Sequence, residues 1–203
     1  MKIIAIGRNY AAHAAELNNA IPTKPIIFLK PATAVLKDNK PFYIPSFSND
    51  VHYELEIVLK VCKEGKHISE KFAANYYDEI GLGVDFTARD IQAEHKEKGL
   101  PWELAKAFDN SAVVSNFLPK RDYINLYDLK FELQKNGETK QLGHTANLLF
   151  SFEKIISFVS QYITLKKGDL IFTGTPEGVG KVTENDVLTG TINGVESFRI
   201  TVK

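Results

Sequence analysis

Runs of β-branched and aromatic residues, separated by short polar stretches, dominate the hydrophobic pattern of the chain. Such runs are typical of strands, because these side chains pack well on a pleated surface. The pattern predicts strands at Lys2 to Ile6, Ile26 to Leu29, Val51 to Cys62, Ile80 to Phe86, Leu170 to Thr173 and Phe198 to Val202. Two Asn-Gly pairs predict tight hairpins, since both residues tolerate a positive φ. They lie at 136–137, between Leu129 to Gln134 and Glu138 to Leu142, and at 193–194.

Helical spacing of apolar residues is rarer. It predicts one helix within Leu148 to Tyr162, and the alanine-rich segment Ala11 to Leu17 favours another. Ser69 and Thr87 are candidate N-caps of helices that continue to Tyr76 and Lys98. Without repeats or linkers, the pattern indicates one domain spanning residues 1–203, of the α+β class and predominantly β.

Composition excludes several partners. The 25 basic and 25 acidic side chains give a formal net charge of zero, so we expect neither a nucleic acid nor a membrane as partner. The lysine-rich stretches at His95 to Lys98 and Lys166-Lys167 are short and are interpreted as solvated surface. The single Cys62 suits a reducing compartment, and the N-terminal apolar run is too short for a signal peptide. We therefore expect a cytoplasmic protein.

Two glutamates stand on one face of the predicted strand at Val51 to Cys62. Alternate strand residues share a face, so His52, Glu54 and Glu56 point one way and the apolar residues point the other. The two carboxylates would then lie within about 7 Å and repel each other unless a cation sits between them. Mg²⁺ prefers such oxygen ligands. The alternative is an amphipathic strand with a wet polar face.

Asp85 ends an apolar run and is followed by Phe86, a setting that predicts burial. A buried aspartate is usually paired, hydrogen-bonded or bound to metal. The alternative is a cap for the following helix, for which Thr87 competes. These residues alone therefore leave a three-carboxylate metal site and a structural role both open.

Six motifs in order resemble the fumarylacetoacetate hydrolase family, and most closely its short single-domain members of the acylpyruvate hydrolase and oxaloacetate decarboxylase type. The motifs are Gly7 to His13, Phe28 to Pro31, His52 to Glu56, Gly83 to Gln92, Lys106 to Asp109 and Thr173 to Gly180. The resemblance implies a rolled mixed β-sheet with a few flanking helices, commonly as a homodimer. It implies that Glu54, Glu56 and Asp85 bind Mg²⁺ or Mn²⁺. Larger relatives have an extra N-terminal domain, so we do not expect fumarylacetoacetate itself as substrate.

His13 and Glu16 stand three residues apart on the predicted first helix and so share a face. A carboxylate beside a histidine fixes its tautomer and raises its basicity, although an exposed pair of this kind is usually plain surface. The resemblance implies that this pair is a catalytic dyad on a mobile lid around residues 11–20.

The resemblance assigns further site residues. It places Lys106 beside the metal as a catalytic group, and Arg8, Asn9, Arg89, Gln92 and Thr175 against the substrate. From the residues alone, Arg89 and Gln92 also fit an ordinary polar helix face, and Lys106 could extend to water. The glycine-rich segment Thr173 to Gly180 lacks the Gly-Lys-Ser/Thr ending of a phosphate loop. It fits a turn that lets the backbone and Thr175 approach the substrate.

These assignments give a functional hypothesis. A Mg²⁺-dependent hydrolase or lyase would cleave a C–C bond of a small 2-oxo acid through a metal-stabilised enolate, by acylpyruvate hydrolysis or oxaloacetate decarboxylation. In hydrolysis, His13 assisted by Glu16 would activate water. One alternative is an isomerase or hydratase of a 2-hydroxy-dienedioate such as 2-hydroxyhepta-2,4-diene-1,7-dioate. Another is a non-catalytic metal- or metabolite-binding protein.

Overall fold

The computed structural model describes residues 1–17 and 19–203, which form fifteen strands and five short α-helices. The strands are β1 (Ile3–Gly7), β2 (Ile26–Lys30), β3 (Val35–Leu36), β4 (Val51–Tyr53), β5 (Leu55–Val61), β6 (Tyr77–Asp85), β7 (Thr87–Ala88), β8 (Ala112–Val114), β9 (Leu118–Pro119), β10 (Lys130–Lys135), β11 (Glu138–His144), β12 (Leu170–Phe172), β13 (Gly180–Lys181), β14 (Val187–Ile192) and β15 (Val195–Thr201). The helices are α1 (Ala11–Glu16), α2 (Glu70–Ala73), α3 (Arg89–Lys98), α4 (Glu103–Lys106) and α5 (Phe152–Tyr162). Short 3₁₀ turns lie at Ala32–Ala34, Ala74–Tyr76, Lys120–Asp122 and Thr145–Asn147.

The strands form three sheets. The largest runs β2-β1-β12-β5-β6-β8-β3, and β9 also pairs with β6. Its pairs β1–β12 and β3–β8 are parallel and the others are antiparallel. The second sheet runs β11-β10-β14-β15, and the third runs β13-β4-β7. The curled sheet structure of mixed parallel and antiparallel pairs, with few helices, confirms the predicted α+β, predominantly β fold class.

The two faces of β5 have different surroundings. Leu55, Ile57 and Leu59 join the main hydrophobic core, which includes side chains of α5 and of the second sheet. Val58 belongs instead to a smaller apolar cluster with Ala5 and Phe172. Glu54 and Glu56 alternate with the core residues, so the predicted two-faced pattern of this segment is confirmed. Glu54 and Glu56 therefore lie on the same face of this segment as Val58, opposite the face that enters the main core.

Several predicted boundaries were wrong. The strand predicted at Val51 to Cys62 is two strands, β4 and β5, which meet at Glu54 and pair in different sheets. Thr87 lies in β7, and its hydroxyl donates to Glu54 Oε1 at 3.0 Å while Ala88 takes the N-cap position of α3. The helix predicted from Leu148 begins at Phe152, where Ser151 Oγ accepts from the amide of Lys154 at 3.2 Å.

Helix lengths limit what these elements can do. The longest helix, α5, has eleven residues. Over the described part of the chain, none of the helices has both the length and the apolar character needed to span a bilayer. The predicted lid segment at residues 11–20 includes Asn18, which lies outside the described residues.

Candidate active site

Three buried carboxylates meet where β5 and β6 pair. Glu54 precedes β5, Glu56 lies within it, and Asp85 ends β6, whose residue Gly83 pairs with Glu56. The Asp85 amide donates to the Glu54 carbonyl at 2.8 Å, which fixes the two backbones together. One oxygen from each carboxylate lies within 4.8 Å of the others, and none of the three residues is more than 5% exposed.

Lys106 from α4 places its ammonium group between two of these acids. Its Nζ donates to Glu54 Oε2 at 2.8 Å and to Asp85 Oδ2 at 2.7 Å. Thr87 Oγ1 also lies 2.5 Å from this nitrogen. Burial by itself would lower the pKa of Lys106, but the charges of Asp85 and Glu54 outweigh it and raise that pKa. The structure therefore puts the predicted Lys106 at the centre of the cluster as a cation.

Lys30 also reaches the carboxylate cluster, although it was not among the predicted site residues. Its fully buried Nζ lies 2.6 Å from Asp85 Oδ1 and donates to the carbonyl and hydroxyl oxygens of Ser111 at 3.0 and 2.9 Å. No hydrogen bond of good geometry reaches Asp85 Oδ1 from the described residues, in spite of this short approach. Burial lowers the pKa of Lys30, and the Asp85 carboxylate opposes that shift. Its place in the motif Phe28 to Pro31 was the available signal.

Glu56 differs from the other two acids because no cationic side chain pairs with it among the described residues. The Gly174 amide donates to its Oε2 at 2.6 Å. Burial raises the pKa of Glu56 well above its usual range, and repulsion from Asp85 and Glu54 adds to this rise. Burial acts on Glu54 as well, but Lys106 and Arg89 outweigh it and hold the pKa of Glu54 well below its usual range. The cluster thus lacks positive charge on the Glu56 side.

This donor set fits a small divalent cation. Around octahedral Mg²⁺, oxygens at about 2.0–2.1 Å stand about 2.9 Å from their neighbours and about 4.2 Å from the opposite ligand. The spacing within 4.8 Å is compatible with those values after small side-chain movements. An ion here would also supply the charge that Glu56 lacks. Glu54, Glu56 and Asp85 could therefore hold Mg²⁺ or Mn²⁺.

The histidine of the predicted dyad lines the same cavity as the carboxylates. His13 on α1 is buried, and its Nδ1 lies 3.2 Å from Glu16 Oε2. Glu16 Oε1 accepts from the Gly178 amide at 3.0 Å. A histidine whose Nδ1 is held in this way has its Nε2 left for proton exchange.

Arg89 and Gln92 lie one turn apart on α3 and also line this cavity. Arg89 donates to Glu54 Oε1 at 2.5 Å and to Gln92 Oε1 at 2.7 Å. The amide nitrogen of Gln92 has no acceptor among the described residues and remains available to a ligand oxygen. Thr175 lines the cavity and accepts from Gln141 Nε2 at 2.9 Å.

Arg8 and Asn9, both predicted to contact substrate, are placed differently. Arg8 lines the cavity and has a left-handed backbone with φ 58°, which is uncommon outside glycine. Asn9 is fully buried, and its amide bonds the backbone of Phe150 and the carbonyl of Thr173. It does not line the cavity and instead clamps this segment to the end of β12.

The cavity shared by these side chains has a volume of about 30 Å³. It is lined by all of the predicted site residues except Glu16 and Asn9. It is also lined by Phe28, Lys96 and Trp102, which were not predicted as site residues. Lys96 belongs to the stretch interpreted as solvated surface; its side chain is exposed, as that interpretation requires, and it also lines the cavity.

Comparison with known proteins identifies the family. The family model described as fumarylacetoacetate (FAA) hydrolase C-terminal matches residues 2–203. A mitochondrial oxaloacetate tautomerase of Bos taurus is 44% identical over 201 residues, which cover 99% of this chain and 91% of that protein. A mitochondrial oxaloacetate decarboxylase of Dictyostelium discoideum is 40% identical over 197 residues, which cover 97% and 90%. The cytoplasmic location expected from the sequence stays a prediction.

A solved structure of similar fold carries a metal. The crystal structure of fumarylpyruvate hydrolase from Pseudomonas aeruginosa in complex with Mn²⁺ and pyruvate has a TM-score of 0.94 and 35% identity, covering 100% of this chain and 89% of that one. Together with the match over nearly the whole sequence, this similarity establishes that the chain belongs to the fumarylacetoacetate hydrolase family.

Proposed function

We propose that this protein is a divalent-metal-dependent enzyme that interconverts the keto and enol forms of oxaloacetate or a closely related 2-oxo acid. One observation carries the proposal: a buried three-carboxylate cluster and His13, which pairs with Glu16, line the same small cavity. Enolisation needs a base beside an electrophilic centre; His13 would be the base, and a metal held by the three carboxylates would be the electrophilic centre. The similarity to an oxaloacetate tautomerase over 99% of the chain supports this choice of substrate.

The residues have distinct parts in this reaction. Mg²⁺ or Mn²⁺ held by Glu54, Glu56 and Asp85 would supply Lewis acidity toward the 2-oxo oxygen. His13 takes a proton from the carbon next to the 2-oxo group, and a proton is then delivered to the 2-oxo oxygen to give the enol. Glu16 holds the ring in the required tautomer and stabilises its protonated form.

The cationic and polar groups orient the substrate. Arg89 keeps Glu54 charged and in place, while the amide of Gln92 donates to a substrate oxygen. Lys106 balances the charge of Glu54 and Asp85 and, as a cation, can donate a proton beside the cluster. The Thr175 hydroxyl lies in the cavity wall and offers another hydrogen bond.

Acylpyruvate hydrolysis is a second candidate, favoured by the likeness to a fumarylpyruvate hydrolase solved with Mn²⁺ and pyruvate. It would use the same dyad to activate water against the distal carbonyl. Oxaloacetate decarboxylation needs the same electrophilic centre but no base, so it can accompany tautomerisation at this site. For all three reactions, residues 1–203 would form one catalytic domain with α1 as lid, in a homodimer.

The experiment compares three substrate readouts on one preparation. Tautomerisation is followed by the enol absorbance of oxaloacetate, decarboxylation by pyruvate release, and hydrolysis by loss of acetylpyruvate. Each is measured with Mg²⁺, with Mn²⁺ and with EDTA, and Glu54→Gln serves as a matched protein control for metal-catalysed background. We expect metal-dependent tautomerisation to be the fastest reaction. Full activity in EDTA, or equal rates with Glu54→Gln, would contradict the proposal, and faster acetylpyruvate loss would favour the hydrolase.

A further inference from the structure

Helix α3 presents a stripe of three polar side chains to the cavity. Arg89, Gln92 and Lys96 are spaced by three and four residues, so they share one helix face, and all three line the cavity. Arg89 contacts the metal-ligand candidate Glu54. Lys96 lies two turns further along, about 10 Å from Arg89 along the helix axis. The stripe therefore leads from the carboxylate cluster to the cavity mouth.

Lys96 lies at this mouth, since its side chain is exposed and also lines the cavity. Its Nζ lies 5.7 Å from the ring centroid of Trp102, which also lines the cavity. Arg8, which directly follows β1 in the sequence, lines the same cavity. Burial lowers the pKa of Lys96, and the positive charges of Arg8 and Arg89 lower it further.

The charges at the mouth are not balanced. In the cluster, Glu54 and Asp85 already have ion-pair partners in Lys106, Arg89 and Lys30. Within the described ranges, neither Arg8 nor Lys96 has a carboxylate within 4.0 Å. Like charges that share a cavity repel, and an anionic ligand relieves that repulsion.

We propose that Lys96 is a specificity-determining residue that binds the second carboxylate of a dicarboxylic 2-oxo acid, with Arg8 beside it. The inference rests on the proposed function, because the first carboxylate and the 2-oxo group of the substrate must lie at the end of the cavity that Glu54, Glu56 and Asp85 form. A four-carbon dicarboxylate then directs its far carboxylate away from the cluster, toward the part of the cavity that Lys96 and Arg8 line. A monocarboxylate of the same type leaves Lys96 without a partner.

The test uses two ligands that cannot enolise, so binding is measured apart from catalysis. Malate and lactate are 2-hydroxy acids that differ by the second carboxylate. Their Kd values are measured by calorimetry with Mg²⁺ present, for the wild-type protein and for Lys96→Met. We expect the malate-over-lactate preference to fall about tenfold in Lys96→Met, the worth of one charge-assisted hydrogen bond. With oxaloacetate as substrate, KM should rise while kcat changes little.

Two variants sharpen this test. Lys98→Met is the matched control, since Lys98 is exposed on the same helix as Lys96 but does not line the cavity and pairs with Glu94 at 2.7 Å. It should keep the wild-type preference. Lys96→Arg should keep most of it. An unchanged preference in Lys96→Met, or an equal fall in Lys98→Met, would overturn the assignment of Lys96. Absence of oxaloacetate turnover in the wild-type protein would instead refute the proposed function, so the two failures are distinguishable.

Discussion

The backbone amide of Gly178 donates a hydrogen bond to Glu16 Oε1 at 3.0 Å. The other oxygen of Glu16 faces His13 Nδ1. The orientation of the histidine therefore depends on a turn that lies 162 residues beyond Glu16 in sequence. Gly178 has φ +90°, and a Cβ added there would lie 2.2 Å from the Lys140 carbonyl oxygen. Only glycine can present its amide to Glu16 from this position.

Gly178→Ala should therefore lower both stability and activity. A left-handed backbone costs a non-glycine residue about 1–2 kcal/mol, and the collision with Lys140 adds to this cost. Displacement of the turn would also release Glu16 from its amide partner and loosen the His13 side chain. We expect a fall in the free energy of unfolding, measured in urea, together with a fall in kcat.

Gly168→Ala is the matched control for this substitution. Gly168 has φ +87°, but a Cβ there meets no atom within 4 Å. It should lose only the backbone cost and keep its kcat. Equal losses of stability and activity in the two variants would show that the contact between Gly178 and Glu16 has no special role.

Two of the metal-ligand candidates, Glu56 and Asp85, should respond in opposite ways to neutralisation in the metal-free protein. Glu56 is repelled by Asp85 and Glu54, so Glu56→Gln should leave the free energy of unfolding unchanged or raise it. Asp85 faces two buried ammonium groups, and Asp85→Asn would leave Lys30 and Lys106 poorly compensated, at a cost of about 3–5 kcal/mol. Both variants should lose most of their affinity for Mn²⁺.

Urea unfolding in EDTA and calorimetric titration with Mn²⁺ measure these two effects separately. Glu79→Gln provides a control, because Glu79 forms a half-buried pair with Lys60 and lies outside the cluster. It should bind Mn²⁺ as the wild-type protein does. Tight Mn²⁺ binding by Glu56→Gln would remove Glu56 from the ligand set.

Local turn chemistry was the most predictable part of the fold. Both Asn-Gly pairs adopt positive φ, with 57° and 82° at Asn136 and Gly137 and 49° and 79° at Asn193 and Gly194. They join β10 to β11 and β14 to β15 as predicted. These conformations depend on the residues themselves, which is why the sequence was sufficient to identify them.

Features set by distant strands were less predictable. The interruption at Glu54 arises because β4 pairs with β7 and β13, whereas β5 pairs with β6 and β12. The same limit applies to Lys30, whose partner Asp85 is 55 residues away, and to Lys96, whose neighbour Arg8 comes from the start of the chain. A charge pattern along one segment gives no information about which charges another segment brings beside it.

His13→Gln should separate proton transfer from metal binding. Removal of a positioned general base typically lowers the rate by about 10²–10⁴-fold, so we expect tautomerisation to fall within that range while the Kd for Mn²⁺ stays near the wild-type value. Decarboxylation, which needs no base, should fall less. His144→Gln is the control, because His144 pairs with Asp128 at 2.8 Å at the protein surface. Wild-type tautomerisation by His13→Gln would show that the dyad assignment is wrong.

Asp186 should make stability depend on pH below about 4. The carboxylate accepts from the Thr183 amide and the Asn136 side chain, both at 2.8 Å, and lies 3.4 Å from Lys135 Nζ. Burial opposes these contacts, but they outweigh it and hold the pKa of Asp186 below its usual range. The contribution of Asp186 to stability is therefore present above the pKa of about 3.9 that it has in the unfolded chain. It is lost as the pH falls through the lower pKa that it has in the folded protein.

At pH 7, Asp186→Asn should lose about 1–3 kcal/mol of unfolding free energy, and its difference from the wild-type protein should shrink below pH 4. Urea unfolding across that range checks this, with Asp128→Asn as a surface control; a difference that stays constant down to pH 2 would contradict it.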